Sequence, residues 1–438
     1  MAVPEAPLAE GRRLKPEAAR RRVAFYLADL KGGGVQKVTL ALARGMAERG
    51  LAVELLACDA SGPLREEIPP GAELVTLEAA PALRARLAPF AADPGAAAAL
   101  LRPVLLPRRV SATLPFLPAL ADRLRRAPPD ALASATPFLN LEAIWARALA
   151  RARVRLLVTD HVAPSQKLTD SPNWRQRYLP ALIRRSYPAA DAIGAVCDAL
   201  GDDLAGATGL PRSRIVTLYN PVVSPEIAVR AREPLAHPWF APGAPPVLLG
   251  AGRLGEQKDF ATLVRAFARV RSQRAARLVI LGAAKDAPKT AERQAELREL
   301  AQALGVAADV EMPGFAANPF AYMARAAVFV LSSRFEGLGN VLIEAMACGC
   351  PVASTDCPVG PAEILENGRF GPLAPVGDDV RLAEAIARAL DEPPAADALR
   401  ARAQQFSVER AVDRYLSVLF PDEGASGERS SASVPRSR

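Results

Sequence analysis

The chain has 438 residues, of which 50% are hydrophobic and 23% charged. This composition matches globular proteins and excludes a wholly disordered, fibrous or collagen-like chain, while the length allows two or three domains. Of the 55 basic residues 48 are Arg, and residues 1–240 carry a net charge of +9 against −1 for residues 241–438. Nucleic acid, an anionic membrane or a phosphorylated substrate could bind the basic half, and a solvated Arg-rich surface explains it equally well.

The five cysteines include no C-x-x-C pair, so they predict neither a disulfide framework nor a zinc site, and they suit a reducing compartment. The N-terminus lacks the apolar core of a signal peptide, and no uncharged apolar run reaches the ~18 residues of a membrane span. We therefore expect a cytoplasmic protein, at most peripheral on the inner face of the plasma membrane.

Taken in chain order, residues 1–20 and 421–438 predict disordered tails, because they are polar, rich in Pro or Ser and without periodicity. From Arg22, an apolar run, a glycine turn, an amphipathic helix and a second apolar run predict a β-α-β unit. Residues 80–130 predict helices broken by prolines 103, 107, 115 and 118. Further strands are expected at residues 155–159, 192–196 and 215–219.

The proline-rich residues 223–246 predict a linker between two domains, residues 21–222 and 247–405. After the linker the alternation resumes, with strands expected near residues 247–252, 277–282, 310–314, 328–333 and 351–356, and helices at 260–271, 290–304, from 341, and at 380–390. The pattern predicts the α/β class, with two doubly wound Rossmann-like domains facing each other. In such sheets ligands bind at the carboxyl ends of the strands.

A glycine loop follows the first strand of the second half. Gly250-Ala-Gly252-Arg-Leu-Gly255 formally fits a dinucleotide fingerprint, but no acidic residue ends the next strand to hold a ribose. Arg253 and Lys258, five residues apart in this loop, are suited to binding a diphosphate. The spacing is explained equally well if Arg253 and Lys258 are two ordinary surface cations.

A second motif follows the apolar run VFVLSS. Glu336 comes just past the strand, glycines at 337 and 339 allow close backbone approach to a ligand, and Asn340 is predicted to cap a helix that begins at Val341. Glu344 lies in an apolar helix, where a buried carboxylate needs donors such as sugar hydroxyls, an Arg or backbone N–H groups. The alternative is that Glu344 lies on the one solvent-exposed face of that helix.

Two further candidates come from the first half. Gly33 and Gly34 stand between the first strand and the first helix, where backbone N–H groups can approach a ligand, although a tight turn explains them too. His161 directly follows the strand at 155–159, which leaves a functional and a structural role about equally open. P-loop, H-E-x-x-H, G-x-S-x-G and D-x-D patterns are absent, so a metal-independent site of Arg, Lys and backbone N–H groups is expected.

The spacing of Glu336 and Glu344, with E-A-M-A-C-G completing the motif, resembles the signature of retaining GT-B glycosyltransferases of family four. Arg253 with Lys258, the early Gly-Gly-Val-Gln and Tyr219-Asn220-Pro221-Val222 are similar to that family at the same relative places. The stretch from Ser354 to Leu365 further resembles members acting in bacterial surface-polysaccharide and lipid-linked oligosaccharide synthesis. One departure is Gln36, where many members have Glu.

The resemblance implies two facing Rossmann-like domains and a C-terminal helix, residues 406–420, that crosses back to the first. It also implies catalytic roles for Glu336, beside the transferred sugar, and for His161, near the sugar and acceptor. The donor-binding residues that it implies are Gly33, Gly34, Arg253, Lys258, Phe315, Gly337, Leu338, Gly339, Asn340, Val341 and Glu344. Among them, Glu344 would accept hydrogen bonds from the ribose, and Phe315 would pack on the base.

The function expected is transfer of a hexose or N-acetylhexosamine, with retention at C1, from a UDP- or GDP-linked donor to a polysaccharide, lipid-linked or other glycan acceptor. No cofactor and no metal is expected beside the donor. The alternatives are an NAD(P)-dependent oxidoreductase using the loop Gly250–Gly255 and a non-catalytic binding protein on the same fold. The basic half is expected to contact an anionic membrane, through residues 84–86, 102–109 and 123–126, rather than nucleic acid.

Overall fold

The computed structural model describes residues 21–105, 111–166, 177–284 and 286–421. The predicted tails, residues 1–20 and 421–438, lie outside the described residues except for Pro421. Within them the chain forms two parallel sheets of seven and six strands, each with helices on both faces. The predicted α/β class with two doubly wound domains is confirmed.

The first sheet has the strand order β3-β2-β1-β4-β5-β6-β7. Its strands are β1 (Arg22–Leu27), β2 (Ala52–Ala57), β3 (Ala72–Thr76), β4 (Ala131–Ala135), β5 (Arg155–Asp160), β6 (Ala192–Ala195) and β7 (Ile215–Thr217). The helices described between and beside them are α1 (Gly34–Glu48), α2 (Ala82–Ala92), α3 (Ala97–Leu100), α4 (Leu117–Arg126), α5 (Pro137–Ala150), α6 (Leu179–Ser186) and α7 (Asp198–Thr208).

The second sheet has the order β10-β9-β8-β11-β12-β13. Its strands are β8 (Val247–Ala251), β9 (Arg277–Leu281), β10 (Val310–Gly314), β11 (Val328–Leu331), β12 (Val352–Thr355) and β13 (Leu373–Ala374). The helices are α8 (Pro225–Ala231), α9 (Phe260–Gln273), α10 (Ala287–Ala303), α11 (Pro319–Met323), α12 (Asn340–Ala347), α13 (Pro361–Ile364), α14 (Asp379–Asp391), α15 (Ala396–Ala403) and α16 (Val408–Leu419).

Both sheets reverse their strand order beside their first strand. β1 pairs with β2 on one side and β4 on the other, and β8 pairs with β9 and β11, all in parallel. Ligands of doubly wound sheets bind at the carboxyl ends of the strands at this reversal. The fold therefore directs attention to the loops that follow β1, β8 and β11.

The central strands form because they are apolar along their whole length. Every residue of β8 and of β11 is buried, as a parallel strand covered by helices on both faces requires. Short, wholly apolar runs thus mark these strands in the sequence.

The last helix packs on the first domain. Val412 and Tyr415 of α16 are buried in one apolar cluster with Met46 of α1 and Phe25 of β1. At Gly45 of α1 an added Cβ would lie 2.7 Å from a methyl of Val412, so the two helices touch closely. The chain crosses between the domains twice, near Val222 and near Phe406. The two crossings lie side by side, because the N–H groups of Val222 and Val223 both donate to the carbonyl of Phe406.

Residues 80–130 differ from the expectation of helices broken at prolines. Pro118 is the second residue of α4, where the missing N–H costs nothing, and Pro115 lies in a short 3₁₀ turn just before that helix. Pro89 stands inside α2. Pro107 lies outside the described residues. Prolines 115 and 118 therefore precede and begin a helix rather than break one.

Across the described ranges, no helix is both long enough and apolar enough to span a lipid bilayer.

Candidate active site

A buried ion pair lies where β8 and β11 end side by side. Nζ of Lys258, in the loop after β8, is 2.5 Å from Oε1 of Glu336, in the loop after β11. The hydroxyl of Ser333 donates to the same oxygen at 2.7 Å. Because the two strands are neighbours in the sheet, residues 78 apart in sequence meet here. The structure therefore brings the predicted residues Lys258 and Glu336 together.

Arg253 occupies the same loop as Lys258 but differs in its surroundings. Its side chain is exposed and forms no ion pair with a described residue, whereas Lys258 is 13% exposed and neutralised by Glu336. An incoming diphosphate can therefore reach Arg253 directly, but must replace a carboxylate to reach Lys258.

Glu344 lies one turn into α12, eight residues after Glu336. Its neighbours Leu342, Ile343, Ala345 and Met346 are buried, whereas Glu344 itself is partly buried. Loss of hydration raises the pKa of this carboxyl group, and the positive charges of Lys37 and Lys258 act in the opposite direction. No described residue donates a hydrogen bond to it. Its acceptor oxygens are thus available to a ligand.

The start of α12 differs from the prediction. The helix begins at Asn340 with Gly339, at φ 98°, in the N-cap position, and no side chain caps it. The predicted cap by Asn340 is wrong because its Oδ1 instead accepts a hydrogen bond from Nδ2 of Asn220, at 2.8 Å, in the first domain. No side chain of a described residue caps the first turn of α12, whose N–H groups begin at Asn340 and Val341.

The glycine loop of the first domain precedes α1. Gly33, at φ 151°, is the N-cap residue, Gly34 is the first helical residue, and no side chain caps the helix. Nε2 of Gln36 donates to Oδ1 of Asp29 at 3.1 Å, and the same oxygen accepts from the N–H of Lys31 at 3.0 Å. Gln36, the departure from the family pattern, thus holds the loop together.

His161 directly follows β5, and 8% of its surface is exposed. Its Nε2 lies 3.4 Å from Oγ1 of Thr159. The backbone of His161 meets the loop after Glu336: a Cβ added at Gly337 would lie only 2.0 Å from the carbonyl oxygen of His161. Glycine is therefore required at 337, and the contact places His161 beside the loop that holds Glu336.

Two other predicted donor residues lie in the same half of the cleft. Leu338 is buried, so that only its backbone can serve a ligand. Phe315 follows β10, two strands away from β8, and its side chain is 80% exposed. An exposed aromatic face at this edge of the sheet can stack on a planar ligand.

Sequence reasoning missed three residues of the site. Ser333 hydrogen bonds Glu336, Lys37 of α1 acts electrostatically on Glu344, and Glu363 of α13 contacts the first domain. Ser333 was readable as a polar residue at the end of an apolar strand. The other two depend on contacts between domains and leave no local signal.

The expected basic surface is partly neutralised. Arg123 is bound to Glu54 at 2.5 Å with a largely buried side chain, and Asp122 binds both Arg84, at 3.3 Å, and Arg125, at 2.5 Å. Arg108 and Arg109 lie outside the described residues. Arg123 is therefore neutralised within the domain, and contact of residues 123–126 with a membrane stays a prediction.

No group of His, Cys, Asp and Glu side chains in the described part of the chain has the arrangement of a metal site.

Two protein-family models match the chain, one over each domain. A family model described as Glycosyltransferase Family 4 matches residues 32–224, and one described as Glycosyl transferases group 1 matches residues 245–392. Together they span both sheets except for β1, and they include Gly33, Lys258 and Glu336. The chain belongs to glycosyltransferase family four, with the GT-B fold.

Curated relatives of this family-four protein include bacterial enzymes of glycan assembly. It is 31% identical over 255 residues to an N-acetylgalactosamine-N,N'-diacetylbacillosaminyl-diphospho-undecaprenol 4-alpha-N-acetylgalactosaminyltransferase of Campylobacter jejuni. It is 35% identical over 187 residues to the lipopolysaccharide core biosynthesis glycosyltransferase LpsE of Rhizobium meliloti. These matches cover 58% and 41% of the chain, and 65% and 51% of the relatives' own lengths.

Solved structures agree on the fold. HepE of Anabaena, in complex with UDP, superimposes with a TM-score of 0.68 at 21% identity and covers 91% of this chain and 99% of its own. Sucrose-phosphate synthase of Thermosynechococcus elongatus gives a TM-score of 0.69 at 21% identity over 93% of this family-four chain and all of its own. The two-domain GT-B architecture is thus shared across nearly the whole described chain.

Proposed function

We propose that this protein is a retaining glycosyltransferase that moves a hexose or N-acetylhexosamine from a nucleotide-diphosphate sugar to a glycan or lipid-linked acceptor, without a metal ion. The observation that carries the proposal is the Lys258–Glu336 pair at the reversal point of the second sheet. An NAD(P)-dependent oxidoreductase is disfavoured because the strand after the Gly250–Gly255 loop ends without an acidic residue for a ribose.

The cations of the cleft suit a diphosphate leaving group. When the bond between the sugar C1 and the diphosphate breaks, negative charge develops on the phosphate oxygens, and fixed donors stabilise it most when they are in place beforehand. Lys258, Arg253 and the uncapped first turn of α12 lie together at the end of the second sheet. They can supply the positive charge that a metal ion supplies in other transferases.

Glu336 and Glu344 then receive separate roles. Once Lys258 moves to the diphosphate, the carboxylate of Glu336 is free to hydrogen bond the transferred sugar and to stabilise the positive charge that develops at C1. Glu344, with no donor among the described residues, can accept from the ribose hydroxyls. His161 faces the same cleft from the first domain, where an acceptor would enter.

The relatives support the class of donor and acceptor. HepE is known in complexes with UDP, with UDP and glucose, and with UDP-glucose. The name of the Campylobacter jejuni relative specifies transfer of N-acetylgalactosamine to a glycan on diphospho-undecaprenol. We infer a UDP-linked donor first, a GDP-linked donor second, and an acceptor carried on a lipid or polysaccharide.

A donor panel with one paired set of variants tests the proposal. Transfer from UDP- and GDP-sugars to crude lipid and polysaccharide acceptors is followed by mass spectrometry for the wild type and for Lys258→Ala and Lys289→Ala. Loss of one preorganised donor costs about 100- to 1,000-fold in rate, so Lys258→Ala should abolish most transfer. Lys289 is exposed on α10, and its replacement should change nothing.

Two results would overturn the proposal. One is that no nucleotide sugar is turned over by the wild type. The other is that Lys258→Ala transfers as fast as Lys289→Ala. Retention is read from the anomeric coupling constant of the product, and an inverted product would contradict that part.

We further propose that the first domain contacts anionic membranes through α2. Its residues Leu83 and Leu87 are 69% and 48% exposed, and Leu101 beyond α3 is 46% exposed. Leu83 and Leu87 border a groove of about 480 Å³ between α2 and α4 that Arg84 and Arg125 also line. Exposed leucines beside arginines suit the boundary between headgroups and acyl chains.

Vesicle pelleting tests the membrane contact. The wild type should sediment with vesicles that contain phosphatidylglycerol, more at low salt than at high salt, and not with neutral vesicles. Leu83→Ser with Leu87→Ser should weaken binding about tenfold or more, because each side chain would bury apolar area in the membrane. Leu304→Ser, an exposed leucine of the second domain, is the control. Equal binding by both variants would refute the contact.

A further inference from the structure

A carboxylate of the second domain lies on the start of a helix in the first. Oε1 and Oε2 of Glu363, in α13, accept hydrogen bonds from the N–H of Asp198 at 3.1 and 2.9 Å, and Oε2 accepts from the N–H of Ala199 at 3.4 Å. Oε1 also accepts from the hydroxyl of Tyr219 at 2.6 Å. Asp198 and Ala199 are the first two residues of α7, and no side chain of the first domain caps that helix. Its cap therefore comes from the other domain.

Glu363 is held firmly in its own domain. Arg402 of α15 donates from Nη2 to the carbonyl of Glu363 at 2.6 Å and from Nε to the carbonyl of Ile364 at 2.9 Å. The Arg402 side chain is only 14% exposed and also pairs with Glu366 at 3.2 Å. Arg402 thus anchors the backbone that carries the Glu363 carboxylate within the second domain.

The cap lies next to the contact between the candidate catalytic loops. Cys197, the residue before α7, donates from its thiol to the carbonyl of Gly337 at 3.4 Å. Gly337 in turn touches the backbone of His161 and directly follows Glu336. Moving the second domain away from α7 would therefore separate His161 from Glu336.

We propose that Glu363 is a positioning residue that holds the two domains closed, by capping α7 across the cleft. The inference rests on the proposed function for its kinetic consequence but not for the cap itself. Hydrogen bonds to a charged carboxylate favour the closed arrangement by about 10- to 100-fold over an open one in which water solvates the same groups. The favourable charge at a helix N-terminus acts in the same direction.

The experiment compares Glu363→Gln and Glu363→Asp with Glu384→Gln in the full chain. Glu384 is exposed on α14 and pairs with Arg381 of the same helix, so its variant removes the same charge from the second domain without removing a contact of Arg402 or of the first domain. Hydrogen exchange of the peptide that starts α7 reports the cap, and X-ray scattering reports the closure. For Glu363→Gln we expect about 10- to 100-fold faster exchange at Asp198 and Ala199 and a larger radius of gyration. Glu384→Gln should match the wild type in both.

The kinetic reading separates positioning from general damage. Because Lys258, Arg253 and Glu344 all lie in the second domain, Glu363→Gln should lower kcat more than it changes KM for the donor. Glu363→Asp keeps the charge and should recover part of the kcat. Tyr219→Phe, which removes one bond to the carboxylate, should fall between wild type and Glu363→Gln.

The outcomes distinguish this inference from the proposed function. If exchange at α7 and the scattering profile are unchanged in both Glu363 variants, the cap is not formed in solution and the inference is wrong. It is also wrong if Glu363→Gln opens the domains but leaves kcat unchanged. If the wild type turns over no donor while Glu363→Gln still speeds exchange, the cap stands and the proposed function is what fails.

Discussion

Two buried glutamates, one from each domain, are neutralised in different ways. Glu336 of the second domain is 7% exposed and meets the ammonium group of Lys258. Glu142 of the first domain, on α5, is 1% exposed and meets only hydroxyl groups, those of Tyr26 at 2.9 Å and Thr113 at 2.8 Å. Its burial raises the pKa of Glu142 to about 8.

The difference shows which carboxyl group can serve a reaction. A buried carboxyl group must hold either a proton or a counter-ion, because an isolated charge in a low-dielectric interior is too costly. Glu142 keeps its proton at neutral pH and stabilises the first domain as a neutral hydrogen-bonding group. The counter-ion of Glu336 is Lys258, whose ammonium group can move to a ligand phosphate. The carboxylate of Glu336 is then free in the cleft.

The largest expected effect concerns Glu336. Glu336→Gln keeps the size of the side chain and its hydrogen bond with Ser333 but removes the negative charge, so transfer should fall by about 100- to 1,000-fold. Binding of UDP alone, measured by calorimetry, should hold or improve, because Lys258 loses its competing partner. Glu299→Gln, an exposed glutamate on α10, is the matched control. Transfer at the wild-type rate by Glu336→Gln would place the catalytic charge elsewhere.

The second domain was also easier to predict from the sequence than the first. Its strands β8, β9 and β11 are short apolar runs, and Lys258 and Glu336 lie in the loops that follow β8 and β11, so strand and site residue are read from one local pattern. In the first domain the fully buried strand β4 has the sequence ALASA, which contains no β-branched or aromatic residue. Burial by neighbouring strands and helices decides its conformation, and the sequence gives no local sign of that.

Contacts between the domains account for most of the site that the sequence could not predict. Asn340 was expected to cap its own helix, but a partner 120 residues earlier takes its side chain. Glu363 lies in the stretch from Ser354 to Leu365 that resembles members of the family. Its role nevertheless depends on the start of α7, 165 residues away. Such pairings depend on how the two folded domains meet, and no periodicity within the sequence of either domain encodes them.

An intermediate effect is expected where the two domains touch. Gly337→Ala would place a methyl group 2.0 Å from the carbonyl oxygen of His161, and relieving such overpacking costs about 1–3 kcal/mol, or roughly 10- to 100-fold in the closed population. We expect a lower kcat with little change in the affinity for UDP, since Arg253, Lys258 and Glu344, proposed for the diphosphate and the ribose, all belong to the second domain. Gly206→Ala, on α7, has no atom within 4 Å of the added carbon and should behave as wild type. An equal kcat in both variants would mean that the domains do not close to this contact during turnover.

The smallest effect tests the other side of the comparison, through the pH dependence of stability. Glu142 has a pKa near 8 in the folded chain and an ordinary value near 4.5 when unfolded, so between these values the folded state holds the extra proton. Stability from this group is therefore complete below pH 4.5 and is lost as the pH rises through 8, by about 2 kcal/mol between pH 6 and pH 8.

Glu142→Gln should remove this loss, because the amide keeps hydrogen bonds to Tyr26 and Thr113 and does not titrate. Urea unfolding at pH 6 and pH 8 should show a free energy of unfolding that falls less with pH in Glu142→Gln than in the wild type. Other titrating groups cancel in the comparison, and Glu73→Gln, an exposed glutamate on β3, should follow the wild type. Parallel slopes in all three proteins would mean that Glu142 is ionised in the fold, and Glu142 would then not differ from Glu336 in holding a charge rather than a proton.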